Sequence, residues 1–198
     1  MSFWDDRYRS ETYAYGVEPN DFLRASAARI PSGRVLCLAE GEGRNAVFLA
    51  SLGYAVTAVD LSSEGLRKAE RLARERGVTI DVVQADLGEY EPEAGAYAGV
   101  VSIFAHLPRA ARERLNARIP TALRAGGALL LETYRPEQLA FATGGPRDAA
   151  LLPTLAELRL ELAPLDLVVA EDVERDIHEG TFHEGRSATV QIIGIKRP

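Results

Sequence analysis

The chain has 198 residues, 46% hydrophobic and 26% charged, with 23 Lys+Arg against 29 Asp+Glu and a formal net charge of −6. That length suits one domain with a sizeable core, and the acidic balance argues against a broad nucleic-acid backbone footprint. A single cysteine, Cys37, excludes an internal disulfide. No apolar run approaches the ~18 residues of a membrane span, and the polar amino terminus lacks a signal-peptide pattern, so the expectation is a cytoplasmic protein with neither membrane nor nucleic acid as partner.

Residues 1–20 carry Phe3, Trp4, Tyr8, Tyr13 and Tyr15 without the spacing of a regular amphipathic helix. They read as an arm whose rings close over a ligand or, alternatively, as an arm packed on the surface. Asp21 to Arg29 reads as a short helix and Pro31-Ser32-Gly33 as a turn. Val35–Ala39 is the first strand, followed by a helix from Asn45 to Leu52 that Gly53 can terminate. Ala55–Val59 is the second strand, ending at Asp60. Ser62 or Ser63 then caps a helix with Leu66, Ala69, Leu72 and Ala73 on its apolar side, closed by Gly77. Its Arg67, Lys68, Arg71, Arg74 and Arg76 alternate with Glu64, Glu70 and Glu75, the pattern of a solvated face.

Val78–Gln84 and Gly99–Phe104 are the third and fourth strands, ending near Asp86 and at Ala105-His106-Leu107-Pro108. An arginine-rich helix runs to Arg124, with Pro120 kinking or dividing it; Gly126-Gly127 breaks it, and Ala128–Glu132 is the fifth strand. Pro136–Gly145 reads as a loop and Leu151–Leu162 as a helix. Leu167–Ile177 and Ser187–Ile195, joined by the connection from His178 to Arg186, form an antiparallel hairpin. Repeated strand–helix alternation predicts an α/β architecture: a mostly parallel sheet, seven-stranded with the hairpin, and helices on both faces. Ligands in such sheets bind beyond the carboxyl ends of the strands, where Glu40, Asp60, Asp86, His106 and Tyr134 all fall.

The stretch Val35 to Asn45 is the focus of the chain. An apolar run meets Gly41-Glu42-Gly43 and a helix starts directly after, the arrangement of a nucleotide-type cofactor cradle. Gly41 to Ala46 formally fits the dinucleotide fingerprint, with Asp60 where a ribose-binding carboxylate belongs. A second acid at Asp86, no length for a separate substrate domain, and a hairpin in place of a second mononucleotide half point away from NAD. S-adenosylmethionine gives both carboxylates a role, Asp60 at the ribose hydroxyls and Asp86 at the adenine amine. Its cationic sulfonium also tolerates the surplus of acids.

Several stretches together carry a resemblance: Trp4-Asp5-Asp6-Arg7-Tyr8, Tyr13-x-Tyr15-Gly16, Glu18-Pro19-Asn20, Glu40-Gly41-Glu42-Gly43-Arg44-Asn45, Val59-Asp60-Leu61-Ser62, Gln84-Ala85-Asp86-Leu87 and Ser102 to Pro108. The chain resembles a class I S-adenosylmethionine-dependent methyltransferase of Rossmann-like fold, nearest the small bacterial tellurite-resistance and thiopurine-type group. The resemblance implies cofactor contacts from Arg7, Tyr15, Ala39, Glu40, Gly41, Gly43, Asn45, Asp60, Leu61, Ser62, Asp86, Leu87 and Phe104. It departs from the family pattern at Cys37, Ala39 and Ala98, and the change at Cys37 removes a carboxylate that commonly orients the loop. The acceptor side draws its candidates from His106, Tyr134, His178, His183 and Arg186, the resemblance placing a histidine and an arginine of the hairpin connection near the acceptor. The acceptor is expected to be a small molecule, with a thiol, selenium or tellurium species among the possibilities. Three histidines without metal-ligand spacing predict no metal. A cofactor-binding protein without turnover is the alternative from a different functional class.

Overall fold

The computed structural model describes residues 3–141 and 143–198. Five strands, β1 (Arg34–Leu38), β2 (Ala55–Asp60), β3 (Asp81–Gln84), β4 (Tyr97–Ile103) and β5 (Leu123–Tyr134), lie parallel. The hairpin β6 (Leu165–His178) and β7 (Glu184–Lys196) adds two more, with β7 antiparallel to β5 and inserted between β5 and the edge strand β6. The order is β3-β2-β1-β4-β5-β7-β6. Strand order reverses between β1 and β4, and an open sheet of this kind leaves a crevice at that point.

Alternation along β1 explains how both faces are covered. Val35 and Cys37 pack with Phe22 and Leu23 of α2 (Asp21–Ser26) and Ala46 and Leu49 of α3 (Arg44–Ser51). Leu36 and Leu38 face the other way, onto Leu115 and Ile119 of α5 (Arg109–Ala122) and Leu158 of α6 (Leu155–Glu161). Between them, α4 (Ser63–Glu75) packs on α3 through Leu72, Ala73 and Val47. Strands covered twice have no polar face, so β4 is buried at every residue. Cys37 is fully buried, and burial pushes its thiol well above the ordinary range, so it is a packed, inert side chain.

The structure differs from the sequence expectations at several joints. The aromatic arm holds a six-residue helix, α1 (Phe3–Tyr8), although its spacing gave no helical pattern; Met1 and Ser2 lie outside the described residues. Pro120 neither divides nor ends α5, which runs through it to Ala122. Strand β5 begins at Leu123, before the glycine pair: Tyr97 pairs with Leu123, and the register then shifts so that Gly99 pairs with Ala128. Gly126, at φ +73, makes that irregularity rather than a helix stop. The helix expected over Leu151–Leu162 is shortened by Pro153 to α6, which starts in a reciprocal cap between Thr154 and Glu157. Pro136–Ala140, expected as loop, is a short 3-10 helix.

Gly43 shows how packing fixes the cofactor loop. It adopts φ +90 at the head of α3, and a Cβ there would lie 2.5 Å from the Ala69 Cβ on α4. The glycine therefore admits the close approach of α4. Gly53 has a similar φ of +91 but open space around it. Gly53→Ala should cost about 1 kcal/mol of backbone strain, and Gly43→Ala clearly more, with loss of α3–α4 packing; urea denaturation of both variants makes the comparison. Equal losses would contradict a packing role for Gly43.

Candidate active site

Loops at the carboxyl ends of β1 to β5, together with the arm and the hairpin connection, enclose one cleft of about 1330 Å³. Acids stand on it together: Glu40 after β1, Asp60 ending β2 and Asp86 after β3. Asp60 is held by backbone donors, with Gly41 N–H 2.8 Å from Oδ2 and Ser62 N–H 2.8 Å from Oδ1. Burial raises its pKa against those bonds. Asp86 accepts from Gly88 N–H at 2.8 Å.

Glu40 answers the departure at Cys37. Its Oε1 accepts the Ala46 N–H at 2.7 Å, and its nearness adds to burial in raising the Cys37 thiol. A carboxylate thus stands beneath the loop although position 37 lacks one, supplied from three residues along. Burial pushes Glu40 up to about 7. Two non-glycine residues take positive φ beside it: Ala39 at +52 after β1 and Phe104 at +54 after β4. Such strain, about 1–3 kcal/mol each, is held at the strand reversal by the surrounding sheet.

The arm is clamped onto this loop from below. Glu42 Oε2 accepts the N–H groups of Ala14 at 2.8 Å and Tyr15 at 3.3 Å, while its other oxygen pairs with Lys68. Lys68 Nζ also donates to the carbonyls of Ser10 and Thr12, each at 2.8 Å. Lys68 is therefore fully buried, not part of the solvated face expected of its helix. Asp5 accepts from the Ser62 hydroxyl at 2.7 Å, and the Tyr8 ring covers Gly41. Those contacts pack the arm onto the loop and α4.

A second buried charge network ties the arm to the sheet. The Glu132 carboxylate on β5 receives both arms of the Arg175 guanidinium, at 2.9 and 2.8 Å, and the Asn20 amide at 2.7 Å. Glu179, in the hairpin connection, binds Arg175 at 3.0 Å, Asn20 at 3.0 Å and Arg44 at 2.6 Å. Burial raises the Glu179 carboxyl, but the two guanidiniums outweigh it and leave the group below the ordinary range. None of Glu42, Lys68, Glu132, Arg175 or Glu179 was singled out from sequence. Glu132, a lone acid in an apolar strand, and Lys68, one of two lysines, were the available signals.

Rings line the same cleft. His106 and His183 face it, with Phe104 4.6 Å from His183 between centroids and 6.3 Å from His106. Burial lowers His106 to about 4, and burial with the nearby Arg44 holds His183 well below the usual imidazole range, so both are neutral at pH 7. No ring nitrogen of His106 completes a hydrogen bond, although the Leu151 backbone approaches it, and neither His183 Nδ1 nor Arg44 Nη1 has a partner.

Of the expected site residues, Arg7, Tyr15, Ala39, Glu40, Asn45, Asp60, Leu61, Asp86, Leu87, Phe104, His106 and His183 line the cleft. Gly41 shapes the loop from behind, and Ser62 caps α4. Three acceptor-side expectations are corrected. Tyr134 is fully buried behind Phe104, His106 and His183 and packs the wall. His178 is exposed and pairs with Glu184 at 2.6 Å, which raises its pKa. Arg186 is also exposed and pairs with Glu174 at 3.2 Å. Register explains both, because β6 and β7 run on to His178 and Glu184 and turn these side chains outward. Among the described residues no group of three or more His, Cys, Asp or Glu is placed for a metal ion, and no helix is long and apolar enough to cross a membrane.

Residues 35–127 match a family model described as a methyltransferase domain. Those residues carry the sequence pattern of a methyltransferase domain. It is 30% identical over 158 residues to a ubiquinone biosynthesis O-methyltransferase of Xanthomonas campestris, covering 76% of this chain and 65% of that protein. The chain thus spans about 65% of the length of the curated relatives it matches. Its fold is shared with a SAM-dependent methyltransferase from Methanosarcina mazei at a TM-score of 0.71, 18% identity and coverage of 91% and 99%. It is also shared with TehB from Haemophilus influenzae at 0.72, 17% identity and coverage of 98% and 66%. The domain implies S-adenosylmethionine as cofactor, and the donor set fits it: Asp60 and Asp86 on the cleft suit a cationic nucleoside better than a pyrophosphate.

Glu40 gives this methyltransferase domain a pH signature. The folded protein retains a proton on Glu40 up to about 7, where the unfolded chain releases it near 4.5. Glu40 therefore costs the fold stability as pH rises through that window, on the order of 3 kcal/mol in all. His106 and His183 contribute with the opposite sign at lower pH, so the comparison isolates Glu40: Glu40→Gln should gain on the wild type in urea midpoint between pH 5 and 7.5. Parallel profiles would contradict a buried, proton-holding Glu40.

Proposed function

We propose that the protein, acting as one domain, transfers the methyl group of S-adenosylmethionine to a small molecule carrying a soft or readily ionised nucleophile, such as a thiol or a selenium or tellurium species. The observation that supports this most is the lining of one cleft at the β1–β4 reversal, which brings Glu40, Asp60 and Asp86 of successive strand ends together with neutral imidazoles and aromatic rings. In this reading Asp60 receives the ribose hydroxyls, Asp86 the adenine amine, and Leu61 and Leu87 the flat faces of the base. The loop from Ala39 to Asn45, with Glu40 beneath it, receives the methionyl part. Arg7, Tyr15 and Phe104 close the space around the sulfonium.

When bound, the cofactor supplies an activated methyl carbon with a good leaving group. What remains for the chain is alignment, exclusion of water and, for protic acceptors, a route for one proton. Alignment alone can supply roughly 7–11 kcal/mol. The imidazoles of His106 and His183, both neutral, can accept the acceptor's proton at an unpartnered nitrogen, but burial makes them weak bases. Weak bases serve acceptors that ionise easily, which favours thiols and acidic hydroxyls over alcohols. The Arg44 guanidinium beside His183 favours an anionic nucleophile there.

Release of S-adenosylhomocysteine, followed by mass spectrometry against a panel of thiols, phenols, selenite and tellurite, tests the reaction. Asp60→Ala should weaken S-adenosylmethionine by about 1–3 kcal/mol in calorimetric titration and lower turnover in parallel. Unchanged affinity would place the ribose elsewhere. Tight cofactor binding with no product from any acceptor would favour a binding protein without turnover.

A further inference from the structure

The rim of the cleft holds an unexplained feature. Seven large hydrophobic side chains are exposed among the described residues, and four of them, Phe3, Leu61, Leu139 and Phe182, stand on this one cleft. Such concentration at a single opening is not the scatter of a neutral surface. The Phe3 and Phe182 rings flank the Arg7 guanidinium, whose carbon lies 5.3 and 4.0 Å from their centroids.

A ladder of rings joins this rim to the depth. Phe3, Trp4, Tyr8, Tyr15, His183 and Phe104 follow one another with centroids 5.3, 5.8, 6.3, 4.6 and 4.6 Å apart. At its inner end stand the polar atoms without partners, on Arg44, His106 and His183. Buried polar groups left unpaired cost free energy, so a ligand's own polar group is expected among them. A cleft of about 1330 Å³ also exceeds the roughly 300–1,000 Å³ of a single-ligand site, leaving room for a second molecule beside the cofactor.

We propose that the acceptor is amphipathic: its hydroxyl or thiol sits among Arg44, His106 and His183, and its apolar body runs out along the ring wall to Leu139 and Phe182 at the mouth. This rests on the methyl-transfer reading and specifies its substrate class. Transfer forms the bond from acceptor oxygen or sulfur to the methyl carbon and breaks the sulfonium carbon–sulfur bond. The acceptor's proton passes to a neutral imidazole and then to solvent. A bare inorganic oxyanion would use the polar depth and leave the apolar wall wetted, so it is the poorer occupant.

Calorimetry with S-adenosylhomocysteine already bound separates the two readings. Phenol, 4-hexylphenol and sodium tellurite are titrated into the 198-residue chain and into a Leu139→Ser, Phe182→Ser double variant. We expect 4-hexylphenol to bind at least about tenfold tighter than phenol, and the double variant to cut that advantage below about threefold. Equal affinities for the two phenols, an advantage that survives in the variant, or tellurite as the tightest binder would each overturn the proposal. So would a dimer in sedimentation that the same substitutions abolish, because the rim would then serve a second copy. Failure of S-adenosylhomocysteine itself to bind would instead defeat the methyl-transfer reading.

Discussion

The carboxylate of Glu132 is completely buried, and the architecture around the cleft is arranged to satisfy it. Five donors reach it: the two from Arg175, the Asn20 amide, the Thr189 hydroxyl at 3.2 Å and the Gln191 amide at 2.7 Å. A buried ion pair rarely exceeds a hydrophobic replacement in stability, but removing one partner is severe, because it strands the other charge. The pair therefore specifies arrangement more than it adds stability. Through Arg175 and Glu179 it fixes where the hairpin connection lies, through Asn20 where the arm joins the sheet, and through Arg44 how the cofactor loop meets both.

This explains why a cleft built from distant segments has one shape. Thr181 N–H reaches the Ala14 carbonyl at 3.0 Å, so arm and hairpin connection are joined directly over the opening. Gly180 permits that contact: at φ +77, a Cβ there would fall 2.4 Å from the Tyr15 backbone. Below the join, the Glu42–Lys68 pair holds the arm to α4 without exposing either charge. Cofactor loop, arm and hairpin are thereby tied into one unit, which the proposed methyl transfer would use to exclude water.

Much of this was legible in the residues. Strand–helix alternation and the closing hairpin gave the sheet, and acids at three consecutive strand ends marked the cleft, since strand ends are local and periodic features. What could not be read was tertiary. The outward turn of His178 and Arg186 depends on hairpin register, which a long connection does not specify. The burial of Lys68 depends on which segment covers α4, and its charged neighbours made that face of the helix look solvated. Cys37 looked like the loss of a carboxylate, and residue order alone did not show that Glu40 holds the Ala46 N–H behind the loop. The helix of the arm is too short to show a period at all.

Amide hydrogen exchange on Glu179→Gln, which neutralises one buried acid with little change of shape, measures the unity of the cap. If Glu179 binds arm and hairpin connection to the cofactor loop, exchange at Ala14, Tyr15 and Thr181 should accelerate together by about tenfold or more, while the β1 and β4 amides stay protected. Faster exchange confined to residues 179–183, with Ala14 and Tyr15 unchanged, would show that the arm is held independently and that no shared cap exists.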